Sequence, residues 1–303
     1  MIIVIIAVNF TAQARYTDIL NIRRANRGIA ALRSMADGEH YTTLEGKSIV
    51  RTAYADRNDR TTLFTAPFSV ADYTFSPDER TLLVAAAEGS QTIYRHSFTA
   101  DYWIAKVGGV PEKILSAVRD VTFTPDGKSL IYAKENNLYI YDIATAESKA
   151  ITDDGRWNEI INGTTDWVYE EEFGFTQAYA ISPDSRKVAY LRFDESQVPI
   201  FEMMRFDGSL YNKAYSFKYP KAGDKNSVVE LWVYDRESGT KRKVDVGAES
   251  DQYISQLGWT PAGDLYFFRV NRRQNHFEIV VDNNGVQRVA YDEKAPQYVE
   301  RKS

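Results

Sequence analysis

Short apolar runs alternate with turns along most of the chain, and one turn sequence recurs. In each full copy a Ser-Pro or Thr-Pro pair joins two apolar runs, and Asp or Gly follows within the turn. Proline fixes φ for a turn, and Asp and Gly tolerate the reversal that a hairpin needs. Each copy is therefore predicted to be a β-hairpin. The full copies begin at Phe75, Phe123, Ile181 and Trp259, and a degenerate copy spans Ser34–Gly38.

Further strands are predicted after the hairpins. Residues 137–142 and 229–235 alternate apolar and polar side chains, and Lys149–Thr152 and Lys241–Val244 are candidates for fourth strands. The copies lie about 40 to 80 residues apart, and four-stranded units at such a period are typical of a β-propeller. A series of immunoglobulin-like sandwiches is the alternative, but sandwiches do not usually repeat one turn at this period. The longer gaps between later copies indicate insertions.

The pattern therefore predicts an all-β fold, an incomplete β-propeller of about four to five four-stranded blades. A propeller closes by pairing its first and last blades, and the last residues of this chain show no closing signal. Residues 51–303 are expected to form the partial propeller. Residues 15–50 are expected to lead into it, with a short helix from Arg15 that is interrupted at Gly28 before the chain enters strands.

The N-terminus is apolar from Met1 to Val8, and Ala12-Gln13-Ala14 follows. An A-x-A pattern after an apolar run is typical of the end of a secretory signal. The run is too short to span a bilayer, and no basic residue precedes it. It is either a buried strand or the end of a longer signal peptide, and the second interpretation is favoured. Residues 1–14 are thus predicted to be a clipped signal, which implies a periplasmic or secreted location.

The composition of the chain excludes several classes of function. The net charge is −5, and no Lys/Arg cluster is interleaved with aromatic residues, so no nucleic-acid partner is expected. The chain has no Cys and three well-separated histidines, His40, His96 and His276. Disulfides, thiolate zinc sites and a cysteine nucleophile are therefore excluded, and no metal or other cofactor is expected. No membrane span is expected either.

One stretch, Asp166–Gly174, carries three consecutive carboxylates after an aromatic and β-branched run. Most charge runs are solvated faces, so an acidic exposed turn is one interpretation. The other is a binding site for a cation, because like charges are packed together where solubility alone would spread them. The stretch falls in one of the predicted insertions, where propellers usually carry function.

With these motifs placed, the sequence resembles the N-terminal propeller region of the dipeptidyl peptidase IV family, serine peptidases of the prolyl oligopeptidase clan. Asp166–Glu172 matches that family's acidic signature, and Tyr94–Ser97 matches a second segment. Residues 219–223 and 161–163 add support. The resemblance runs from about Thr17 to the end of the chain.

The resemblance implies roles for three residues. Glu171 and Glu172 would bind the free α-ammonium of a peptide substrate, and Arg95 would contact the carbonyl of its second residue. Glu170 is expected to face away and be structural, since three neighbouring side chains cannot easily converge on one atom. Trp167 and Tyr169 are expected to be packing anchors. His96 is expected to be structural.

The resemblance also implies a parent enzyme, a serine-type dipeptidyl peptidase that releases X-Pro or X-Ala dipeptides, with a homodimer common in the family. Its Ser-Asp-His triad would lie in an α/β-hydrolase domain with a G-x-S-x-G elbow. No G-x-S-x-G occurs in these 303 residues, so no catalytic residue is assigned and the chain alone is expected to be inactive. The alternative is a non-catalytic propeller that binds peptide N-termini or a protein partner.

Overall fold

A computed structural model describes residues 31–206, 208 and 210–300. The predicted signal remnant and the helix predicted before Gly28 lie outside these residues. The first sheet starts at Arg33, within the range 15–50 that was expected to lead into the propeller. Its four strands are antiparallel neighbours in chain order: β1 Arg33–Ser34, β2 His40–Glu45, β3 Ser48–Ala53 and β4 Arg60–Thr65.

The next two sheets share one long strand. This strand is β9, Glu112–Phe123. Its first half pairs with β8, Phe98–Lys106, and its second half pairs with β10, Ser129–Lys134, so the two sheets are continuous. Ala117 and Asp120 have positive φ values of 53° and 50° where the strand passes from one sheet to the other. The strands are β5 Val70–Phe75, β6 Thr81–Ala86, β7 Gln91–Thr92, β8 Phe98–Lys106, β9 Glu112–Phe123, β10 Ser129–Lys134, β11 Asn137–Asp142 and β12 Glu147–Ala150.

The fourth sheet carries two insertions. The first insertion is a short helix, α1 Trp167–Phe173. The second is a hairpin formed by β16 Ile200–Arg205 and β17 Lys213–Lys218. The elements of the fourth sheet and its insertions are β13 Ile160–Asn162, α1 Trp167–Phe173, β14 Tyr179–Ile181, β15 Lys187–Asp194, β16 Ile200–Arg205, β17 Lys213–Lys218, β18 Val228–Asp235 and β19 Lys241–Val244. A fifth sheet follows in chain order: β20 Gln252–Trp259, β21 Leu265–Asn271, β22 His276–Asn283 and β23 Val286–Lys294.

Each predicted Pro-containing turn joins two paired strands. In the first full copy Ser76 Oγ donates to Asp78 Oδ1 at 2.6 Å, and the same carboxylate oxygen accepts from Arg80 N at 3.2 Å. These bonds lower the pKa of Asp78, the Ser76 hydroxyl most strongly. The residue after Asp has positive φ, 57° at Glu79 and 68° at Gly127, which explains why Gly recurs there. The repeated turn is therefore a locally determined hairpin.

The all-β fold and the partial propeller are confirmed, with five successive sheet units of four or five strands in the described residues, besides the inserted hairpin β16–β17. One strand boundary differs from the prediction: the fourth strand predicted at Lys149–Thr152 is β12, Glu147–Ala150. Its register is set by pairing with β11, where Tyr139 faces Ala150. Ile151 and Thr152 then bond to Leu138 O, which ends the regular pairing.

A large hydrophobic cluster lies between the fourth and fifth sheets. It includes Leu191, Phe193 and Leu231 from the fourth sheet and Ile254 and Phe267 from the fifth, all fully buried. Burying side chains of this size stabilises the fold by about 1.5–3 kcal/mol each. Helix α1 packs against this cluster, so two rigid sheets fix its position.

Candidate functional site

Helix α1 starts and stops at defined caps. Asp166 is the N-cap, with φ −74° and ψ 178°, and its Oδ1 accepts a hydrogen bond from Tyr169 N at 2.9 Å. Gly174 ends the helix in the left-handed conformation, with φ 73°. The other oxygen of Asp166 accepts from Ser227 Oγ at 2.6 Å. The acidic stretch is therefore a seven-residue helix rather than an open turn.

Tyr169 anchors the helix in the protein core. Its side chain is buried, and its ring lies 4.8 Å from the ring of Phe193, edge to face. Its hydroxyl accepts a hydrogen bond from Ile254 N at 2.9 Å, which ties α1 to β20. Trp167 packs against Tyr219 with ring centroids 4.1 Å apart. Both aromatics are thus packing residues, as predicted.

The second matched segment is a loop between β7 and β8. Its turn is closed by a bond from Ile93 N to Ser97 O at 2.9 Å. Tyr94 is buried beside Trp157 and Phe217, with centroids 6.3 and 5.7 Å away. Arg95 follows and projects outward, with a side chain that is 73% exposed. The loop therefore has a fixed base and an exposed cation at its tip.

Glu170 connects the helix to this loop. It is only 1% exposed, and its Oε1 accepts hydrogen bonds from His96 N at 2.5 Å and Ser97 N at 2.9 Å. The His96 side chain itself is exposed, so its structural part is played by the backbone. Bonds from N–H groups to a carboxylate are stronger than bonds between neutral groups. The two matched segments are thus joined although they lie more than 70 residues apart in sequence.

The structure brings two of the three predicted site residues together. Arg95 Nη1 lies 3.4 Å from Glu171 Oε2, and the Glu171 side chain is 17% exposed. Glu172 is exposed, and its side chain forms no hydrogen bond or ion pair with the described part of the chain. An ion pair this exposed contributes little to stability, about 0–1 kcal/mol. Breaking the Arg95–Glu171 contact therefore costs little, and the Glu172 side chain has no contact to break.

A buried polar cluster lies beneath the site. Glu195 is 1% exposed, and its Oε2 has no hydrogen-bond partner among the described residues. Burial, and after it the charge of Asp166, raises the pKa of Glu195 to about 8, while the Lys218 ammonium opposes the shift. Lys218 Nζ instead donates to the carbonyl of Val198 at 2.7 Å. Burial also raises the pKa of Asp166.

Sequence reasoning missed several of these residues. The cap at Asp166 had a signal, since Asp at the start and Gly174 eight positions later are typical helix boundaries. The hydrogen bonds of Glu170 had no signal in the sequence, because their donors are backbone N–H groups of a distant segment. Glu195 and Lys218 gave no signal either, because Glu195 follows β15 and Lys218 ends β17, positions where exposed charges are usual.

One group of side chains in the described residues has the spacing of a metal site. His276, Glu278 and Asp292 lie on β22 and β23 with ligand atoms within 4.8 Å of one another. Each is already engaged, however: His276 Nε2 lies 2.9 Å from Asp292 Oδ1, and Glu278 Oε2 accepts from Arg269 Nε at 2.8 Å. The cluster is accounted for by an ion pair between Arg269 and Glu278 and a hydrogen bond between His276 and Asp292 on the last sheet.

Comparison with known proteins shows which protein family this chain is related to. Residues 76–303 match the family described as the dipeptidyl peptidase IV (DPP IV) N-terminal region. Dipeptidyl peptidase 4 of Trichophyton rubrum is 30% identical over 83% of this chain and 34% of its own length. Inactive dipeptidyl peptidase 10 of Rattus norvegicus is 31% identical over 79% of this chain and 31% of its own length.

A solved structure agrees with the sequence match. The crystal structure of Porphyromonas gingivalis dipeptidyl peptidase 4 superposes with a TM-score of 0.83 at 33% identity, over 89% of this chain and 40% of that one. The described fold is thus that of the propeller region of a dipeptidyl peptidase. The chain belongs to the dipeptidyl peptidase IV N-terminal region family.

The chain spans about a third of the length of the relatives it matches, 31% and 34% of the two curated proteins. In the part of the chain that the structure describes, no helix is long and apolar enough to cross a bilayer.

Proposed function

We propose that this chain is the substrate-recognition part of a serine-type dipeptidyl peptidase that releases X-Pro and X-Ala dipeptides from peptide N-termini. Glu171 and Glu172 bind the substrate α-ammonium, and Arg95 binds the carbonyl of the second residue. The observation that carries the proposal is the 3.4 Å approach of Arg95 to Glu171 across 76 residues of sequence. This contact supports the proposal because it brings a forked donor next to Glu171, and Glu172 is the following residue of α1.

The charges fit a peptide N-terminus. An α-amino group has an ordinary pKa of about 8, so it is mostly cationic at neutral pH. Two carboxylates and one guanidinium carry a formal charge of −2 + 1 = −1, which one ammonium neutralises. The ammonium has three protons, and two carboxylates supply charge-assisted acceptors for them. An N-acetylated peptide lacks the charge and keeps one N–H donor in place of three, so it should be rejected.

The same geometry explains how two residues are measured. The carboxylates fix the first atom of the substrate, and Arg95 fixes a carbonyl farther along it. The guanidinium suits this role because its planar fork remains charged and donates in a defined direction. A substrate held at both points presents the same bond to a catalytic centre each time, which is how positioning accelerates a reaction.

The catalytic residues belong to a separate α/β-hydrolase domain in this proposal. The 303 residues contain no G-x-S-x-G elbow, so the chain by itself is expected to bind but not cleave. Export to the periplasm or the exterior is part of the proposal and is supported by the apolar run ending in Ala12-Gln13-Ala14.

A homodimer of the full-length protein is also proposed. Hairpin β16–β17 supports it, since Met203, Phe206 and Leu210 are exposed large apolar side chains at or near its tip. Exposed apolar patches on a soluble protein usually mark contact surfaces. Sedimentation of the purified full-length protein as a monomer at micromolar concentration would exclude the dimer.

A second function is favoured by one specific observation. The relative from Rattus norvegicus that carries the name inactive dipeptidyl peptidase 10 matches this chain as well as the named enzymes do. The alternative is therefore a non-catalytic propeller that binds peptide N-termini or a protein partner.

Expression of the gene's complete reading frame separates the two functions. We expect cleavage of Gly-Pro-anilide, with Glu171→Gln and Glu172→Gln each lowering kcat/KM by about 100-fold or more, as expected for losing a buried charged contact with substrate. The matched control is Glu237→Gln, which removes another exposed ion pair, that with Arg186, in the turn after β18. A folded protein without activity would favour the non-catalytic function. Full activity of both site variants would refute the assigned roles.

A further inference from the structure

Glu170 lies next to the proposed ammonium ligands but points elsewhere. It is 1% exposed, whereas the Glu171 side chain is 17% exposed and Glu172 is exposed. Its carboxylate is directed at the backbone of the Arg95 loop and cannot reach a ligand in solution. Any effect of Glu170 on substrate must therefore pass through another residue.

Only one oxygen of this carboxylate is used. Oε1 accepts both N–H groups, from His96 and Ser97, while Oε2 is buried with no hydrogen-bond partner in the described residues. A buried carboxylate with an unpartnered oxygen is costly. A side chain chosen only for stability would satisfy both oxygens or be apolar. The arrangement points to a requirement at the loop rather than in the core.

The loop that carries Arg95 is also held at its N-terminal end. Tyr215 on β17 donates from its hydroxyl to Ile93 O at 2.8 Å, and Tyr94 is packed among aromatic rings. Arg95 lies between this support and the two N–H groups that Glu170 binds. Its backbone is thus fixed on both sides while its side chain stays 73% exposed.

We propose that Glu170 is a positioning residue that sets the separation between Arg95 and the Glu171–Glu172 pair, and so sets the length of substrate that the site measures. This inference rests on the proposed function of Arg95, Glu171 and Glu172. Glu170 lies on the same helix as the carboxylates and bonds to the same loop as the guanidinium. Moving the loop by the loss of these bonds shifts Arg95 relative to the ammonium site without altering either group.

Two substitutions of Glu170 in the full-length enzyme test the inference. Gln keeps a carbonyl oxygen that can accept both N–H bonds, whereas Ala removes the acceptor and leaves both donors without it. We expect Glu170→Ala to raise KM for Gly-Pro-anilide about tenfold or more with a smaller change in kcat, and Glu170→Gln to restore most of the loss. Asp282→Asn is the control for stability, since Asp282 is a buried carboxylate on β22 that accepts from Gly285 N at 3.1 Å.

A double-mutant cycle with Arg95→Ala identifies the residue through which Glu170 acts. If Glu170 positions Arg95, Glu170→Ala should change KM by less than about threefold once Arg95 is absent, since coupled residues are not additive. An equal effect in both backgrounds would overturn the inference and leave the proposed function standing. So would a loss of activity matched by Asp282→Asn at the same loss of stability. If Arg95→Ala and Glu171→Ala leave KM unchanged, the proposed function itself fails.

Discussion

Ser227 donates a hydrogen bond to Asp166 at 2.6 Å, and both side chains are buried. The contact joins the segment before β18 to the N-cap of the helix that carries the acidic residues. Asp166 thus satisfies two donors at once, the Ser227 hydroxyl and Tyr169 N. The position of the carboxylates at the surface depends on this buried pair.

Removing the cap tests that dependence. Asp166→Ala should lower the free energy of unfolding by about 1–3 kcal/mol, because a helix cap and a buried hydrogen bond are both lost. Asp166→Asn keeps an acceptor for Tyr169 N, and its NH2 group can donate to the Ser227 hydroxyl in place of the lost acceptor, so it should cost less. Urea unfolding of the chain measures both. Equal stability of the Ala variant and the native chain would show that the cap is dispensable.

Tyr169 offers a test of how the helix is attached to the fifth sheet. Tyr169→Phe keeps the ring but leaves Ile254 N buried without its acceptor, which should cost about 1–3 kcal/mol. Tyr132→Phe is the matched control, since its hydroxyl bonds only to the Ser148 hydroxyl at 3.0 Å and leaves no backbone group unsatisfied. The control should therefore unfold closer to the native midpoint. Similar losses from both variants would contradict the proposed attachment.

Glu195 determines a pH dependence of stability. Its pKa in the folded chain is raised to about 8, against an ordinary value of 4.5, chiefly by burial. Between these values the folded state holds a proton that the unfolded state has lost. The resulting stability is complete below about pH 4.5 and is lost as pH rises through about 8, by up to about 1.4 kcal/mol per unit.

Glu195→Gln isolates this contribution, because Gln stays neutral throughout. The free energy of unfolding of the variant should rise relative to that of the native chain as pH is raised from about 5 to about 8. This holds whether the variant is more or less stable than the native chain at low pH. Chemical unfolding at several pH values in this window gives the difference directly. Parallel pH profiles for the two proteins would mean that Glu195 does not titrate in the window.

Gly163 precedes the acidic helix and lies against β11. Its φ is 71°, and an added Cβ would stand 2.4 Å from Leu138 Cδ1. Gly163→Ala should therefore destabilise the chain by about 1–3 kcal/mol or more, from overpacking and from the left-handed backbone together. Gly174→Ala is the control, since φ is 73° there but the space around it is open. A smaller loss at Gly163 than at Gly174 would contradict this assignment.

The sequence was sufficient for the hairpins, because their information is local. At the copy that starts at Phe123, the Thr124 hydroxyl bonds to Asp126 within the turn itself, and Gly127 supplies the left-handed residue. The same contact, two residues apart, recurs between Ser76 and Asp78 and between Ser182 and Asp184. Turn chemistry and alternation together therefore predicted which strands pair.

The site was predicted only in part, for the opposite reason. Arg95, Glu171 and Glu172 were assigned through resemblance, while the bonds that hold them link residues 73 to 85 positions apart. Glu170 binds backbone N–H groups, which every residue except proline has, so no residue type in the loop indicates the contact. The raised pKa of Glu195 depends on burial, which follows from the packing of the inserted segments.

Discrimination between a free and a blocked N-terminus tests the central claim most directly. The dipeptide Ala-Pro, which is the product of the proposed cleavage, and its N-acetyl derivative would be titrated into the full-length protein at about pH 7, where the free amine is mostly cationic. We predict that acetylation weakens binding about 100-fold or more in the native protein, and that Glu171→Gln with Glu172→Gln removes most of this difference. Equal affinity of the native protein for the two ligands would contradict recognition of the α-ammonium by this site.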